Sequence, residues 1–233
     1  MTDASPDLID DLAARRAEAA SCDRAAAPLE WAQRQARVGA ALARLGEYSR
    51  DPDALADAAE TYRLAMAEYT RDAAPLDWAR MQRNQGAVLA MLGEMNGEVG
   101  PLSAAVACYR AALLEYDRAK APQDWAMTHS NLGNALRVLG EQTGDPAVIE
   151  QSVAACRSAL LVYTRDAAPQ DWGMTGTNLA NALTALGGRK RDPASIEEAI
   201  ALYRAAVAVL GEAHRAVLEH NIALAEQRLR EIH

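Results

Sequence analysis

APLEW at residues 27–31, APLDW at 74–78, APQDW at 121–125 and APQDW at 168–172 are one phrase written four times, each copy 47 residues after the last. A fixed period of that length marks one supersecondary unit copied in tandem, each copy burying its apolar face against its neighbours. The chain therefore reads as a single continuous stack of repeats, and no Gly/Ser- or Pro-rich linker interrupts it.

The third copy shows the unit. Pro122 fits the first turn of a helix, where its missing N–H costs nothing. Asp124 suits the positive end of the same helix. Leu132, Leu136 and Leu139 follow at spacings of four and three, which place them on one face. Gly140 is expected to close this helix as its C-cap, with Glu141 to Gly144 as a polar loop. Asp145-Pro146 then starts a second helix as N-cap and first-turn proline. Its apolar face is predicted to run through Ile149, Val153, Cys156, Ala159, Leu160 and Tyr163.

The other copies keep this frame. Leu42, Leu89, Leu136 and Leu183 form one column, Leu45, Leu92, Leu139 and Leu186 another, and Gly46, Gly93, Gly140 and Gly187 a third. Tyr69, Tyr116, Tyr163 and Leu210 fill a column of helix B. Asp-Pro recurs at 51–52 and 192–193, whereas the second copy carries Pro101 two positions late. The spacing predicts a half-repeat helix over 7–23, repeats over 27–73, 74–120, 121–167 and 168–212, and a capping helix over 213–233. That makes about ten helices in an all-α chain. Asp3, Asp7, Asp10 and Asp11 make the opening half-repeat acidic.

Composition agrees and excludes. Half of the residues are hydrophobic, many of them Ala, and Ala, Leu, Arg and Glu lose little rotamer freedom in helices. A net charge of −8 opposes DNA, RNA and anionic membrane surfaces, all of which require a positive field. No apolar run is long enough for a membrane span, and neither end reads as a signal peptide. Cys22, Cys108 and Cys156 are odd in number and far apart, as in reduced, mostly buried cysteines of a cytoplasmic protein.

With these columns in place, the chain resembles the tetratricopeptide repeat family. Leu132, Gly133 and Leu136 resemble that family's helix A. Ala199, Tyr203 and Ala206, with Ala105, Tyr109, Ala112 and Ala58, Tyr62, Ala65, resemble its helix B. The period of 47 is longer than usual, and the position normally held by Trp carries Gln35, Gln82, His129 and Gly176. The resemblance implies a right-handed α-solenoid of antiparallel helix pairs, whose A helices line a concave face that binds a protein or peptide.

An aromatic repeated in every copy is read as seam filler, so the Trp and Tyr columns count as core. If the A helices line a groove, side chains two, five, nine and twelve positions after each Trp face it. Those are Gln33, Arg80, Met127 and Met174, then Arg83, Ser130 and Thr177, then Asn134 and Asn181, then Arg137 and Thr184. Asn84, Asn131 and Asn178 sit six after Trp. Arginine offers bidentate recognition of carboxylates, amides both donate and accept, and methionine gives adaptable apolar contact. The resemblance implies that the Asn columns hold a partner's backbone or carboxylate.

No catalytic activity, metal or cofactor is expected. His214 and His220 are six apart, not the four that would place two ligands on one helical face. No phosphate loop, Cys/His pair or Ser-His-Asp set appears. The expected function is a non-enzymatic interaction scaffold. The alternatives are a self-associating structural repeat, which incomplete capping would favour, or a regulatory arm of a larger bacterial signalling assembly.

Overall fold

The computed structural model describes residues 6–232, so Asp3 and His233 lie outside the described residues. The described residues form ten α-helices, and neighbouring helices pack in pairs. The half-repeat helix is α1 (Pro6–Ala20). Four long A helices follow, α2 (Pro28–Ser49), α4 (Pro75–Asn96), α6 (Pro122–Thr143) and α8 (Pro169–Lys190). Between them stand the B helices α3 (Pro52–Ala65), α5 (Val99–Ala112), α7 (Pro146–Ala159) and α9 (Pro193–Leu210), and α10 (Glu212–Ile232) ends the chain. The chain divides into two compact units, residues 1–116 and 117–233.

Each A helix is 22 residues long and opens on the proline of the repeated phrase. At about 1.5 Å per residue it spans roughly 33 Å. The segment before it is fixed by a hydrogen-bonded turn. Ala27, Ala74, Ala121 and Ala168 donate their N–H to the carbonyls of Asp23, Thr70, Asp117 and Thr164, at 2.8–2.9 Å. The same Asp and Thr side chains accept a second backbone N–H, as from Ala25 to Asp23 at 2.9 Å and from Ala119 to Asp117 at 2.8 Å.

The structure corrects the reading of the Gly column. Gly46, Gly93, Gly140 and Gly187 do not cap helix A; they lie within it, buried. The helix runs on for another turn and ends at Arg50, Gly97, Gly144 or Arg191, all in the left-handed region with φ between 51° and 72°. The connection to helix B is therefore two residues long, and Glu141 to Thr143, expected in a polar loop, are helical. Close packing explains the glycines. A Cβ on Gly140 would stand 2.6 Å from Ile149 Cγ1 and 3.0 Å from its backbone nitrogen, and one on Gly93 would stand 2.7 Å from Leu102 Cγ. Three of the four carbonyls also close the turn, accepting from Asp51, Glu98 and Asp192 at 2.9–3.0 Å.

Helix B starts as its sequence demands. Asp51 accepts from the N–H groups of Asp53 and Ala54, Asp145 from Ala147, and Asp192 from Ala194. Glu98, in the copy without Asp-Pro, makes no such bond. Helix B is shorter than expected in the first three copies: α7 ends at Ala159, and Tyr163 lies in the turn beyond it, where it is 3% exposed, whereas α9 runs on to Leu210.

In the first unit Leu12, Val38, Leu42, Leu55, Tyr62, Tyr69, Met81 and Val88 form one buried cluster. In the second, Ile149, Leu179, Leu183, Ile196, Tyr203, Leu210 and Leu218 do the same. The tryptophans are half-buried, and three of the four are roofed by cations. The Arg24, Arg71 and Arg165 guanidinium carbons lie 4.5, 5.7 and 5.7 Å from the ring centres of Trp31, Trp78 and Trp172. Trp125 instead meets His129 edge-on at 4.3 Å. Among the described residues, no helix is long and apolar enough to cross a membrane.

Candidate functional site

The second unit holds a cleft of about 310 Å³ where α6, α8, α9 and α10 meet. Three residues expected in the groove line it, Arg137, Asn181 and Thr184, together with Glu141, Tyr203, Asn221, Leu224 and Arg228. Arg137 is largely covered, with 18% of its side chain exposed. Its Nη1 donates to Glu141 at 2.7 Å and its Nη2 to Asn134 Oδ1 at 3.0 Å, while its Nε is buried with no hydrogen-bond partner. Asn181 Oδ1 accepts from Tyr203 Oη at 2.6 Å and from Asn221 Nδ2 at 3.4 Å. Burial raises the Tyr203 hydroxyl above its ordinary pKa, so it stays protonated and donates. Arg228 Nη1 reaches the Thr184 carbonyl at 3.4 Å. The lining is thus rich in donors, with two guanidiniums against one carboxylate. Such a set suits a carbonyl or an anion better than a cation.

The other expected residues have different surroundings. Met127 and Met174 are 42% and 49% exposed, and Gln33 and Arg80 are also exposed. Arg80 pairs with Asp77 on its own helix at 2.5 Å. Arg83 is half-buried, its guanidinium 5.7 Å from the centre of the Tyr116 ring. Ser130 does not face solvent. It is 9% exposed, shares a hydrogen bond with Thr175 at 3.0 Å and accepts from Asn178 Nδ2 at 3.4 Å, a polar pin between α6 and α8. Thr177 donates to the Gly173 carbonyl at 2.9 Å. Asn84 and Asn131 are half-buried.

Helical geometry separates these positions. At about 100° per residue, two and nine after Trp lie near 200° and 180°, while five and twelve lie near 140° and 120°. The residues two after Trp are exposed, whereas Asn134 and Asn181, nine after, are half-buried, and those five and twelve after are turned toward a neighbouring helix. Asn221 and Arg228 lie beyond the last Trp, in a copy where the Trp column holds Glu219, and Tyr203 comes from helix B, outside any count along helix A. Asn221 is two positions after Glu219, in the column of Met174, and Arg228 is nine after it, in the column of Asn134 and Asn181.

Burial pushes the Cys108 thiol up to about 11 and the Cys156 thiol up to about 12, so both are protonated at neutral pH and poor nucleophiles. Among the described residues no three His, Cys, Asp or Glu side chains gather as a metal site requires. No protein-family model matches the chain, and no curated protein matches it.

Proposed function

We propose that the protein is an interaction scaffold of the tetratricopeptide type, a right-handed solenoid without catalytic activity, whose A-helix face holds an extended or helical segment of a partner protein. The observation that carries this is the convergence in the second unit. Columns spaced by the repeat, Asn181/Arg228 and Arg137/Thr184, come together with Asn221 and Tyr203 around one donor-rich cleft, with Asn134 bonded to Arg137. A peptide brings carbonyls and carboxylates, and the exposed Met127 and Met174 add adaptable apolar contact.

Arg228 tests the reading, because its guanidinium is exposed and its loss leaves the core intact. Proteins captured by wild type and by Arg228→Glu are compared side by side, and the partner found is then titrated against both. The charge reversal should weaken binding by about tenfold or more, the loss of a charge-assisted contact plus repulsion. An unchanged affinity with an unchanged melting curve would overturn the proposal.

A further inference from the structure

A second cleft of the same unit, of about 320 Å³, lies at the seam of α8 and α10 and shares Arg228 with the cleft of Arg137 and Asn181. Arg189, Arg191, Arg228 and Glu231 line it, beside Gly188. The three guanidiniums are exposed, and among the described residues none is paired with a carboxylate. Arg189 Nη2 donates to the Glu141 carbonyl at 3.1 Å and Arg228 Nη1 to the Thr184 carbonyl at 3.4 Å, which leaves the other N–H groups of both forks open. Neighbouring charges are engaged elsewhere. Lys190 pairs with Glu150, and the Asp192 carboxylate caps α9, accepting from the Ala194 N–H at 3.1 Å and the Ser195 hydroxyl at 2.6 Å. Glu231 accepts from Gln227 Nε2 at 2.9 Å. Three guanidiniums against one carboxylate leave an excess of positive charge in a chain whose net charge is −8.

The repeat columns show two changes at this seam. The column of Gly188 is Glu47, Glu94 and Glu141 in the earlier copies, so a carboxylate has been removed. The column of Arg189 is Tyr48, Met95 and Gln142, and that of Arg228 is Ala40, Ala87, Asn134 and Asn181, so cations have been added. With no side chain at position 188, Arg228 lies against α8: a Cβ there would stand 3.3 Å from its Nη1. The matching seam of the first unit, between α2 and α4, also holds a cleft, of about 330 Å³. Its Glu47, Arg50 and Met91 stand in the columns of Gly188, Arg191 and Ile232, and Glu94 joins them. Two carboxylates meet one guanidinium there, so the same seam carries opposite sign in the two units. Helix ends do not account for this. The last turns of α2, α4 and α6 hold no basic residue, and the negative end of α8 is offset by the positive start of α9 at Pro193.

We propose that this cleft binds a phosphate monoester, held among Arg189, Arg191 and Arg228. At neutral pH such a group carries a charge of about −1.5 to −2 and three strong acceptor oxygens. That matches the surplus of two guanidiniums and the three forks that supply it. A carboxylate or a phosphodiester brings a single charge and leaves one cation unmatched. Gly188 keeps the place clear of the glutamate that the earlier copies carry there. The monoester arrives on a phosphorylated side chain of a partner or on a free small molecule, and both bring the same group. Gly188, Arg189 and Arg191 do not line the cleft assigned to the partner segment, so variants at these positions test this site alone.

The test follows the Gly188 amide resonance of the full chain by NMR, assigned through Gly188→Ala. The probes are glycerol 3-phosphate (a dianion), glycerol 3-sulfate (the same shape with one charge) and acetyl-Gly-phosphoserine-Gly-amide (a phosphorylated side chain). Glycerol 3-phosphate should shift the resonance saturably at pH 7.5 and bind about fivefold tighter than the sulfate, the range of one exposed ion pair. At pH 5 that advantage should shrink toward parity, because the phosphate, with its second pKa of about 6, has taken up a proton. Arg189→Gln with Arg191→Gln should weaken phosphate binding about tenfold. Gly188→Glu restores the carboxylate of the other copies and should abolish the shift, whereas Gly188→Gln fills the same space without charge and should cost less. A phosphopeptide bound more tightly than glycerol 3-phosphate assigns the group to a partner's side chain, and the reverse order assigns it to a small molecule. The proposal is overturned by no saturable shift in the wild type, by the sulfate binding as tightly as the phosphate at pH 7.5, or by unchanged binding in Gly188→Glu or the double arginine variant when helical circular dichroism is kept.

Discussion

Two glycines in one helix should respond in opposite directions to the same substitution. Gly176 and Gly187 both lie in α8 and both are buried. In a helix interior, alanine is favoured over glycine by about 1 kcal/mol, because glycine loses more backbone freedom on folding. At Gly176 nothing stands within 4 Å of an added Cβ, so that preference is realised. Gly176→Ala should stabilise by about 1 kcal/mol. At Gly187 the added Cβ would lie 2.7 Å from Ile196 Cγ1, 3.0 Å from the Asp192 carbonyl oxygen and 3.2 Å from Ser195 Cβ. Ile196 is fully buried and cannot swing away. The Asp192 backbone is held by its own N–H donating to the Gly187 carbonyl at 2.9 Å. Overpacking of this kind costs about 1–3 kcal/mol, and the rigid neighbours place it near the upper end. With the helix preference set against it, Gly187→Ala should lose about 2 kcal/mol, a gap of about 3 kcal/mol between the variants. Urea unfolding followed by circular dichroism measures this directly, as a shift in midpoint at constant slope. A Gly187→Ala midpoint equal to or above wild type would refute the packing explanation of the glycine column.

Three further outcomes are expected. His129 is partly buried against Trp125 with its Nδ1 unpartnered, and burial lowers its pKa below 6.5. The folded state then binds its proton less readily than the unfolded chain. Stability should fall as pH drops below 6.5, and His129→Gln, the residue of the first two repeats, should remove that part of the fall in denaturant titrations at pH 7 and pH 5. Glu98→Asp should install the N-cap that α5 lacks and raise the unfolding free energy by about 0.5–1 kcal/mol, whereas Asp51→Ala should lower it by about 1. Replacing Asp11, Arg15 and Glu18 with Ala, Tyr and Ala, as at the same columns of α3, should make the chain associate as its concentration rises. Light scattering showing a monomer throughout would refute the view that these charges guard the face.

What the sequence showed, and what it hid, divides by the range of the interaction involved. The starts of the helices were legible because Pro122 and Asp145 act on their own first turns. The end of helix A was not. A glycine that caps a helix and a glycine that admits a neighbour are the same letter, and only the contact of Gly140 with Ile149 on the next helix separates them. The donor-rich cleft was half-legible for a related reason. Asn181 and Arg137 follow from counting along one helix, but Tyr203 joins them from the far side of the pair through its hydroxyl. Ser130 looked like a groove residue until Thr175 and Asn178 claimed it.

The repeat columns also say where the apolar pattern is withheld. In the B helices, the face turned to the paired A helix carries Ala58, Tyr62 and Ala65, each at most 3% exposed. In α1 the same columns hold Asp11, Arg15 and Glu18, with Asp11 bonded to Arg44 and Arg15 within reach of Asp11 and Glu18. In α10 the column that is Gly39, Gly86, Gly133 and Ala180 becomes Gln227, and the column of four leucines becomes Arg230. Tyr62 needs the space that Gly39 leaves, its ring carbon 3.0 Å from where a Cβ would stand. A glutamine in the glycine column closes that space, and an arginine in the tyrosine column would have to desolvate its charge to enter it. Neither face is therefore built to receive a helix of the repeat's own kind. Head-to-tail addition of copies is opposed at both surfaces by sterics and by desolvation together.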